Sequence, residues 1–294
     1  MSETTLLEPE FLHKLESLSL LTRRLVRGGF RGERRSRSLG RGVEFSDYRS
    51  YQAGDDYRYV DWNVYSRLDR LFVKLFSEEE DIDVHLLVDT SRSMTFGQPP
   101  KLDYGARVAA ALGYIGLVNL DRVGVTTFSG GALRALPPRR GRPQIFHLFD
   151  FLAALKGSGT TELGAMIREY VLRTKRRGLV ILISDLLDPQ GYEEPFKLLR
   201  YNHFEPFVIH VLSEEELFPT LSGDLRLVDS ENGEAVEVSL DGPALDAYAR
   251  ARDRFLESLE QFCLRHQIDY LRTTTAVSFD DLILRYLRMG GLVT

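Results

Sequence analysis

The chain has 294 residues, enough for one large domain or two smaller ones, and either arrangement can bury a sizeable core. Its 43% apolar and 28% charged residues are ordinary for a soluble globular protein, and its single cysteine, Cys263, rules out an internal disulfide and suits a reducing compartment. The net charge of −5 is modest, but the charges are unevenly spread. The opening residues, MSETTLLEPE, lack a basic region followed by an apolar core, so no signal peptide is expected and the cytoplasm is the expected location.

Residues 8–27 carry Phe11, Leu12, Leu15, Leu18, Leu21 and Leu25 at helical spacing, which predicts an amphipathic helix ending before Gly28-Gly29. A Gly/Arg/Ser-rich connector follows at 28–42. Arg23, Arg24, Arg27, Arg31, Arg34, Arg35, Arg37 and Arg41 stand there against one acid, Glu33, whereas Glu78, Glu79, Glu80, Asp81 and Asp83 crowd a later stretch. Such an arm permits an anionic partner, nucleic acid or membrane surface. It has little aromatic interleaving beyond Phe30, and no recognition-helix or zinc-finger pattern accompanies it, so a solvated or self-docked arm is the preferred reading. Residues 43–76 are dense in aromatics and charges and are expected to cover one flank of a sheet, with Arg58 neutralising Asp55, Asp56 and Asp61.

The stretch 81–94, DIDVHLLVDTSRSM, is the one around which the rest of the chain is organised. Val84, Leu86, Leu87 and Val88 form a short apolar run that ends in Asp89-Thr90-Ser91-Arg92-Ser93, the pattern of a buried parallel strand. Ligands of open α/β sheets bind beyond the carboxyl ends of such strands. Asp89, Ser91 and Ser93 alternate there and offer one carboxylate and two hydroxyls, hard oxygen donors suited to Mg²⁺ or Mn²⁺ and poor for zinc or copper. The competing reading is that they cap the next helix.

Residues 101–119 then read as a helix, 122–128 as a strand, and 131–136 as a short antiparallel edge strand ended by the Pro/Arg loop 137–143. A helix is expected at 143–155, then the loop Gly157-Ser158-Gly159-Thr160-Thr161 and a helix at about 161–175. The apolar run Leu179–Ile183 ends in Ser184-Asp185, and Asp188-Pro189 reads as a helix start. Residues 205–212 form a further strand. Asn232-Gly233 marks a hairpin near 224–240, inserted before a helix at 243–266, a last strand at 267–273 and a last helix at 278–289. The longest apolar segment, 108–120, has 13 residues and is too short to span a bilayer.

Asp-x-Ser-x-Ser, a later Thr in a Gly-rich loop and a later strand-end Asp occur in the order of a metal-ion-dependent adhesion site. On that pattern the chain resembles a von Willebrand factor A-type domain. The resemblance implies a doubly wound, mostly parallel, Rossmann-type α/β fold over 81–294, with residues 1–80 as a helical and irregular N-terminal extension. It implies a cation held by Asp89, Ser91, Ser93, Thr161 and Asp185, with Thr160 as the alternative hydroxyl. The string from Gly40 to Phe76, followed by EEEDIDVHLLVDTSRSM and Lys101, is further similar to the bacterial family catalogued as domain of unknown function 58. That family's genes often lie beside those of MoxR-type AAA+ ATPases, which makes such an ATPase or its client the expected partner.

The chemistry expected is therefore binding, with no catalysis. Three neutral hydroxyls leave a bound cation net positive and able to take a partner's carboxylate. A strand-end Asp also serves metal-dependent phosphohydrolases, but the second Asp usual there is replaced by Ser91. His13, His85, His147, His203, His210 and His266 are scattered without ligand spacing, and His85 reads as a satisfied core residue. Walker A, Gly-x-Ser-x-Gly and dinucleotide fingerprints are absent from the sequence.

Overall fold

The computed structural model describes residues 10–18, 37–38, 44–77, 83–130, 132–231 and 233–288. These fall into two compact units, one of residues 37–77 and one of residues 10–18 with 83–288. The Arg-rich arm apart from Arg37, the second half of the first expected helix and the acidic run 78–81 lie outside the described residues. The helix over 10–18 (α1) belongs to the larger unit, where Phe11 packs edge-on to Phe149 and against Phe279.

The smaller unit is a three-stranded antiparallel sheet of β1 (Arg37–Ser38), β2 (Glu44–Ser50) and β3 (Phe72–Ser77), in the order β1-β3-β2, with helix α2 (Trp62–Leu68) between β2 and β3. Its acids are neutralised differently from the expectation. Arg58 takes only Asp56, Asp55 is held by Arg49, and Asp61 is bonded by Lys74 and the Tyr48 hydroxyl. Asp61 also caps α2 by accepting the Asn63 and Val64 amides. These contacts hold its carboxyl at about 2, the Tyr48 and Lys74 bonds outweighing desolvation. The reassignment has a simple cause. An N-cap carboxylate is aimed by its helix, so its cation is whichever one the neighbouring strand supplies.

The larger unit is the expected α/β fold. It contains β4 (Asp83–Asp89), α3 (Lys101–Val118), β5 (Arg122–Ser129), β6 (Ala132–Arg139), α4 (Pro143–Ala153), α5 (Leu163–Arg173), β7 (Leu179–Ser184), α6 (Glu193–Tyr201) and β8 (Glu205–Leu212). After these come the short α7 (Glu214–Leu217), the hairpin β9 (Gly223–Val228) and β10 (Ala235–Leu240), α8 (Gly242–Arg265), β11 (Asp269–Thr274) and α9 (Phe279–Arg288). Six strands form one sheet in the order β11-β8-β7-β4-β5-β6, parallel except for β6. Every residue of β4 and β7 is buried, which is why both read as near-continuous apolar runs. The chain leaves β4 toward β5 on one side and returns to β7 on the other, so a topological switch point lies at the carboxyl end of β4.

α3 packs on one face of the sheet with α4 and α9 beside it. On the other face, a core of Leu163, Met166, Ile167, Phe196, Leu199, Leu259 and Phe262 joins α5, α6 and α8 to the strands. α3 approaches α4 closely because position 113 is glycine; a Cβ there would stand 2.5 Å from the Leu148 side chain. Gly113→Ala is therefore expected to cost about 1–3 kcal/mol through overpacking. Urea unfolding measures it, and an unchanged midpoint would show that the two helices can part at no cost.

Three boundaries differ from expectation. β6 continues through Pro137 and Pro138 to Arg139, because the two prolines fall where its pairing with β5 shifts register between Val125 and Val123, and there a missing amide breaks no ladder bond. α5 begins at Leu163 rather than near Thr161, and its first amide is bonded by Asp188. Asp188 thus ties two loops together instead of starting a helix, and α6 begins only at Glu193.

Candidate functional site

Asp89, Ser91, Ser93, Thr161 and Asp185 all sit at the carboxyl end of the sheet, and all are buried. Asp89 closes β4 with no exposed surface. One oxygen accepts the Ser91 amide at 2.9 Å, and the other accepts the Ser184 hydroxyl, from the end of β7, at 2.6 Å. The Ser91 and Ser93 hydroxyls lie 3.0 Å apart, at the start of a single 3-10 turn over Arg92–Thr95. Neither serine caps the next helix, since α3 has Pro100 at its N-cap, and Ser91, at the N-cap of the 3-10 turn, makes no side-chain cap to it.

The Gly-rich loop is laced to the first loop by its backbone. The Ser158 amide donates to the Thr90 carbonyl at 2.8 Å, and the Arg92 amide to the Gly159 carbonyl at 3.0 Å. Gly157 lies against Thr95 and the Ser91 carbonyl so tightly that a Cβ would collide with the Thr95 methyl, and Gly159 has φ +71°. The lacing brings Thr161 to the same end of the sheet. Its hydroxyl and amide, however, both donate to Glu231 at the tip of the β9–β10 hairpin, at 2.8 and 3.0 Å. No hydrogen bond joins Thr161 directly to Asp89 or Asp185 among the described residues. The Thr160 hydroxyl donates to Glu162 at 3.3 Å.

Asp185 is wholly buried, and its side chain accepts Lys101 Nζ at 2.8 Å and the Leu187 amide at 3.2 Å. Lys101, also without exposed surface, pairs in addition with Glu216, which closes a capping box with Ser213 at the start of α7. Burial pulls the Lys101 ammonium down, but the Asp185 and Glu216 carboxylates outweigh it and the net shift is upward, so it stays charged. The Asp185 carbonyl bonds His210 Nε2 at 2.9 Å, and His210 Nδ1 meets the Tyr270 hydroxyl at 2.8 Å. Since a carbonyl only accepts, Nε2 carries the proton and Nδ1 accepts from Tyr270. Burial depresses this imidazole to about 4. Both ring nitrogens are engaged, so His210 is unavailable as a general acid or base.

Asp89 differs from Asp185 in having no cationic partner among the described residues. Burial first, and the Asp185 charge second, raise its carboxyl above the ordinary range. A buried carboxylate beside a second carboxylate and two hydroxyls calls for a proton or a cation, and the donor set is all hard oxygen, fitting Mg²⁺ or Mn²⁺. Among the described residues no three His, Cys, Asp or Glu side chains gather at one point, so hydroxyls and water would complete the shell. Lys101, Glu216 and Glu231 were not legible as site residues in the sequence. Lys101 was marked only by resemblance, and Glu231 not at all, the turn beside it being the nearest local signal.

An uncharacterized protein of Mycobacterium tuberculosis is 28% identical over 249 residues, covering 83% of this chain and 78% of its own length. A second uncharacterized protein, from Mycobacterium avium, is 28% identical over 157 residues, covering 51% of this chain and 83% of its own. Among solved structures, a conserved hypothetical protein, BatB, from Bacteroides thetaiotaomicron aligns with a TM-score of 0.44 at 17% identity, covering 71% of this chain and 98% of that one. The von Willebrand A domain of SpRpn10 aligns with a TM-score of 0.42 at 13% identity, covering 72% and 98%. Residues 47–256, spanning both the aromatic segment and the Asp89 loop, match the family described as Protein of unknown function DUF58, and the chain belongs to that family.

Proposed function

We propose that this protein is a divalent-cation-dependent interaction protein, in which Asp89, Ser91, Ser93, Thr161 and Asp185 hold Mg²⁺ or Mn²⁺, in part through water. The observation that carries the reading is the Asp89 carboxylate, wholly buried, held by the Ser91 amide and by serine hydroxyls, without a cationic partner among the described residues, and lying beside a second acid. When bound, the cation supplies a positive position that an acidic side chain of a partner can fill. The protein's own residues do the rest. Ser184 and the Ser91 amide orient Asp89, Lys101 fixes Asp185, and the Gly157–Gly159 loop positions Thr161.

The partner proposed is a MoxR-type AAA+ ATPase or one of its clients, on the strength of the sequence resemblance alone, and the setting proposed is the cytoplasm. No helix among the described residues is long and apolar enough to cross a membrane. A phosphohydrolase is disfavoured, because Ser91 stands where a second Asp is needed and both nitrogens of His210 are occupied. Calorimetric titration with Mn²⁺ tests the site, with one equivalent bound by the wild type and none by Asp89→Ala. Capture of the co-expressed ATPase with and without EDTA tests the partner, and undiminished capture in EDTA would refute cation dependence.

A further inference from the structure

The tip of the β9–β10 hairpin brings a carboxylate to the candidate cation site. Glu231 holds Thr161 with both oxygens, one accepting the hydroxyl at 2.8 Å and the other the amide at 3.0 Å. Beside it, the Ser230 carbonyl accepts Arg92 Nη1 at 3.4 Å. Arg92 stands between Ser91 and Ser93, so the tip touches both the Asp89 loop and the Gly-rich loop. A threonine hydroxyl has one proton and two lone pairs. With the proton given to Glu231, the lone pairs are left for a cation, and Glu231 lies one hydrogen bond away from that ligand.

The tip is organised locally to present this side chain. Asp229 Oδ1 accepts the Glu231 amide at 2.7 Å, and the Asp229 amide donates to the Glu234 carbonyl at 2.8 Å. The Gly233 amide donates to the Asp229 carbonyl at 3.0 Å, with Gly233 at φ +77°. The body of the hairpin is held far less firmly. Among the described residues its two strands pair only with each other, and none from 223 to 240 is buried. Leu227, Val228 and Val236 remain exposed. A two-stranded hairpin is marginally stable at best by itself, so with little apolar surface covered the polar contacts at the tip weigh heavily in keeping it seated. Hydrogen bonds to a carboxylate are strong, yet a second carboxylate can replace them one for one.

We infer that Glu231 is a built-in competitor, an acid in cis that occupies the Thr161 side of the site until an acidic side chain of the partner displaces it. The inference rests on the cation reading above and adds to it how the site is kept from indiscriminate contacts. Like charges brought together at one place repel, so the partner's acid and Glu231 exclude each other there. The partner accordingly presents an exposed Asp or Glu on a projecting loop or a chain end, able to enter as the hairpin tip leaves.

The test uses the full chain, with Mn²⁺ as the cation and acetate as the carboxylate probe. Calorimetry first establishes Mn²⁺ uptake. Acetate is then titrated into the Mn²⁺-loaded wild type, Glu231→Ala and Glu237→Gln, and water-proton relaxation reports carboxylate displacing water from the ion. Glu237 is exposed on β10, so its substitution removes one negative charge from the same hairpin without touching the tip. Glu231→Ala is expected to bind acetate about tenfold more tightly than the wild type, the worth of the contacts the probe no longer has to displace, and Glu237→Gln is expected to match the wild type. Hydrogen exchange over residues 223–240 is expected to quicken in Glu231→Ala, and in the wild type when acetate is added, with circular dichroism confirming that both variants fold. Absence of Mn²⁺ uptake by the wild type would sink the cation reading and this inference together. With uptake intact, the inference alone is overturned if wild type and Glu231→Ala bind acetate alike, if Glu237→Gln gains as much, if Glu231→Ala loses Mn²⁺, or if its hairpin exchanges no faster.

Discussion

Lys101→Met is expected to lower the unfolding free energy by about 3–5 kcal/mol, the cost of leaving a buried charge unpaired. Lys101 has no exposed surface and joins two acids from distant parts of the chain, Asp185 after β7 and Glu216 in α7. Methionine matches the length of the side chain, so packing changes little and the loss reports electrostatics. Without the ammonium, Asp185 remains fully buried beside Asp89, and like charges in that surrounding must take a proton or draw in solvent. Urea unfolding in EDTA measures the effect. Adding Asp185→Asn to Lys101→Met should recover part of the loss, because the stranded charge is then gone. A loss below about 1 kcal/mol would mean that water already reaches the pair, as at exposed ion pairs.

Asp89→Asn is expected to act differently with and without the cation. In EDTA the substitution should stabilise the fold by about 1–3 kcal/mol, since the carboxylate's raised pKa means its charged form is disfavoured by folding, at about 1.4 kcal/mol per pKa unit. Asparagine can still accept the Ser91 amide. With Mg²⁺ at a hundred times its dissociation constant, the wild type should gain about 2.7 kcal/mol and the variant nothing. The variant's advantage is then cancelled or reversed in Mg²⁺, reversal following wherever that advantage is below about 2.7 kcal/mol. Thermal unfolding of both proteins in each buffer shows this directly, and equal stabilisation of both by Mg²⁺ would remove Asp89 from the site.

His85 sets a separate dependence on acid. Burial lowers its folded pKa from 6.5 to about 4, so the unfolded chain binds the proton first as pH falls. The stability it contributes is complete above pH ~6.5 and is lost progressively down to pH ~4, at most about 3 kcal/mol. His85→Phe should flatten the wild-type fall in urea midpoint between pH 7.5 and 5, and an unchanged slope would assign the acid sensitivity elsewhere.

The sheet and its ends were legible in the chain because buried parallel strands betray themselves as apolar runs. Val84–Val88 and Leu179–Ile183 are such runs, and each ends at the acid expected of it. The Asn-Gly turn located the hairpin for a similarly local reason. Expectation failed where a polar group's partner lies far away. Arg58 stood nearest Asp55, Asp56 and Asp61 in sequence, yet it serves only one of them. His85 read as a satisfied core histidine, but its buried Nε2 has no hydrogen-bond partner among the described residues. Lys101 finds Asp185 across 84 residues, and Thr161 finds Glu231 across 70.

Periodicity and turn chemistry within a dozen residues were enough to set the buried strands and to place Asp89 and Asp185 at strand ends, and the motif resemblance implied the doubly wound α/β fold. Only the packed molecule decided which buried acid has its own cation and which has none. It also brought a hairpin glutamate onto Thr161 and set the buried Asp83 between Arg122 and Arg176. Burial is written in the local spacing of apolar residues, whereas the neutralisation of a buried charge depends on neighbours that the chain delivers only when the whole sheet has assembled.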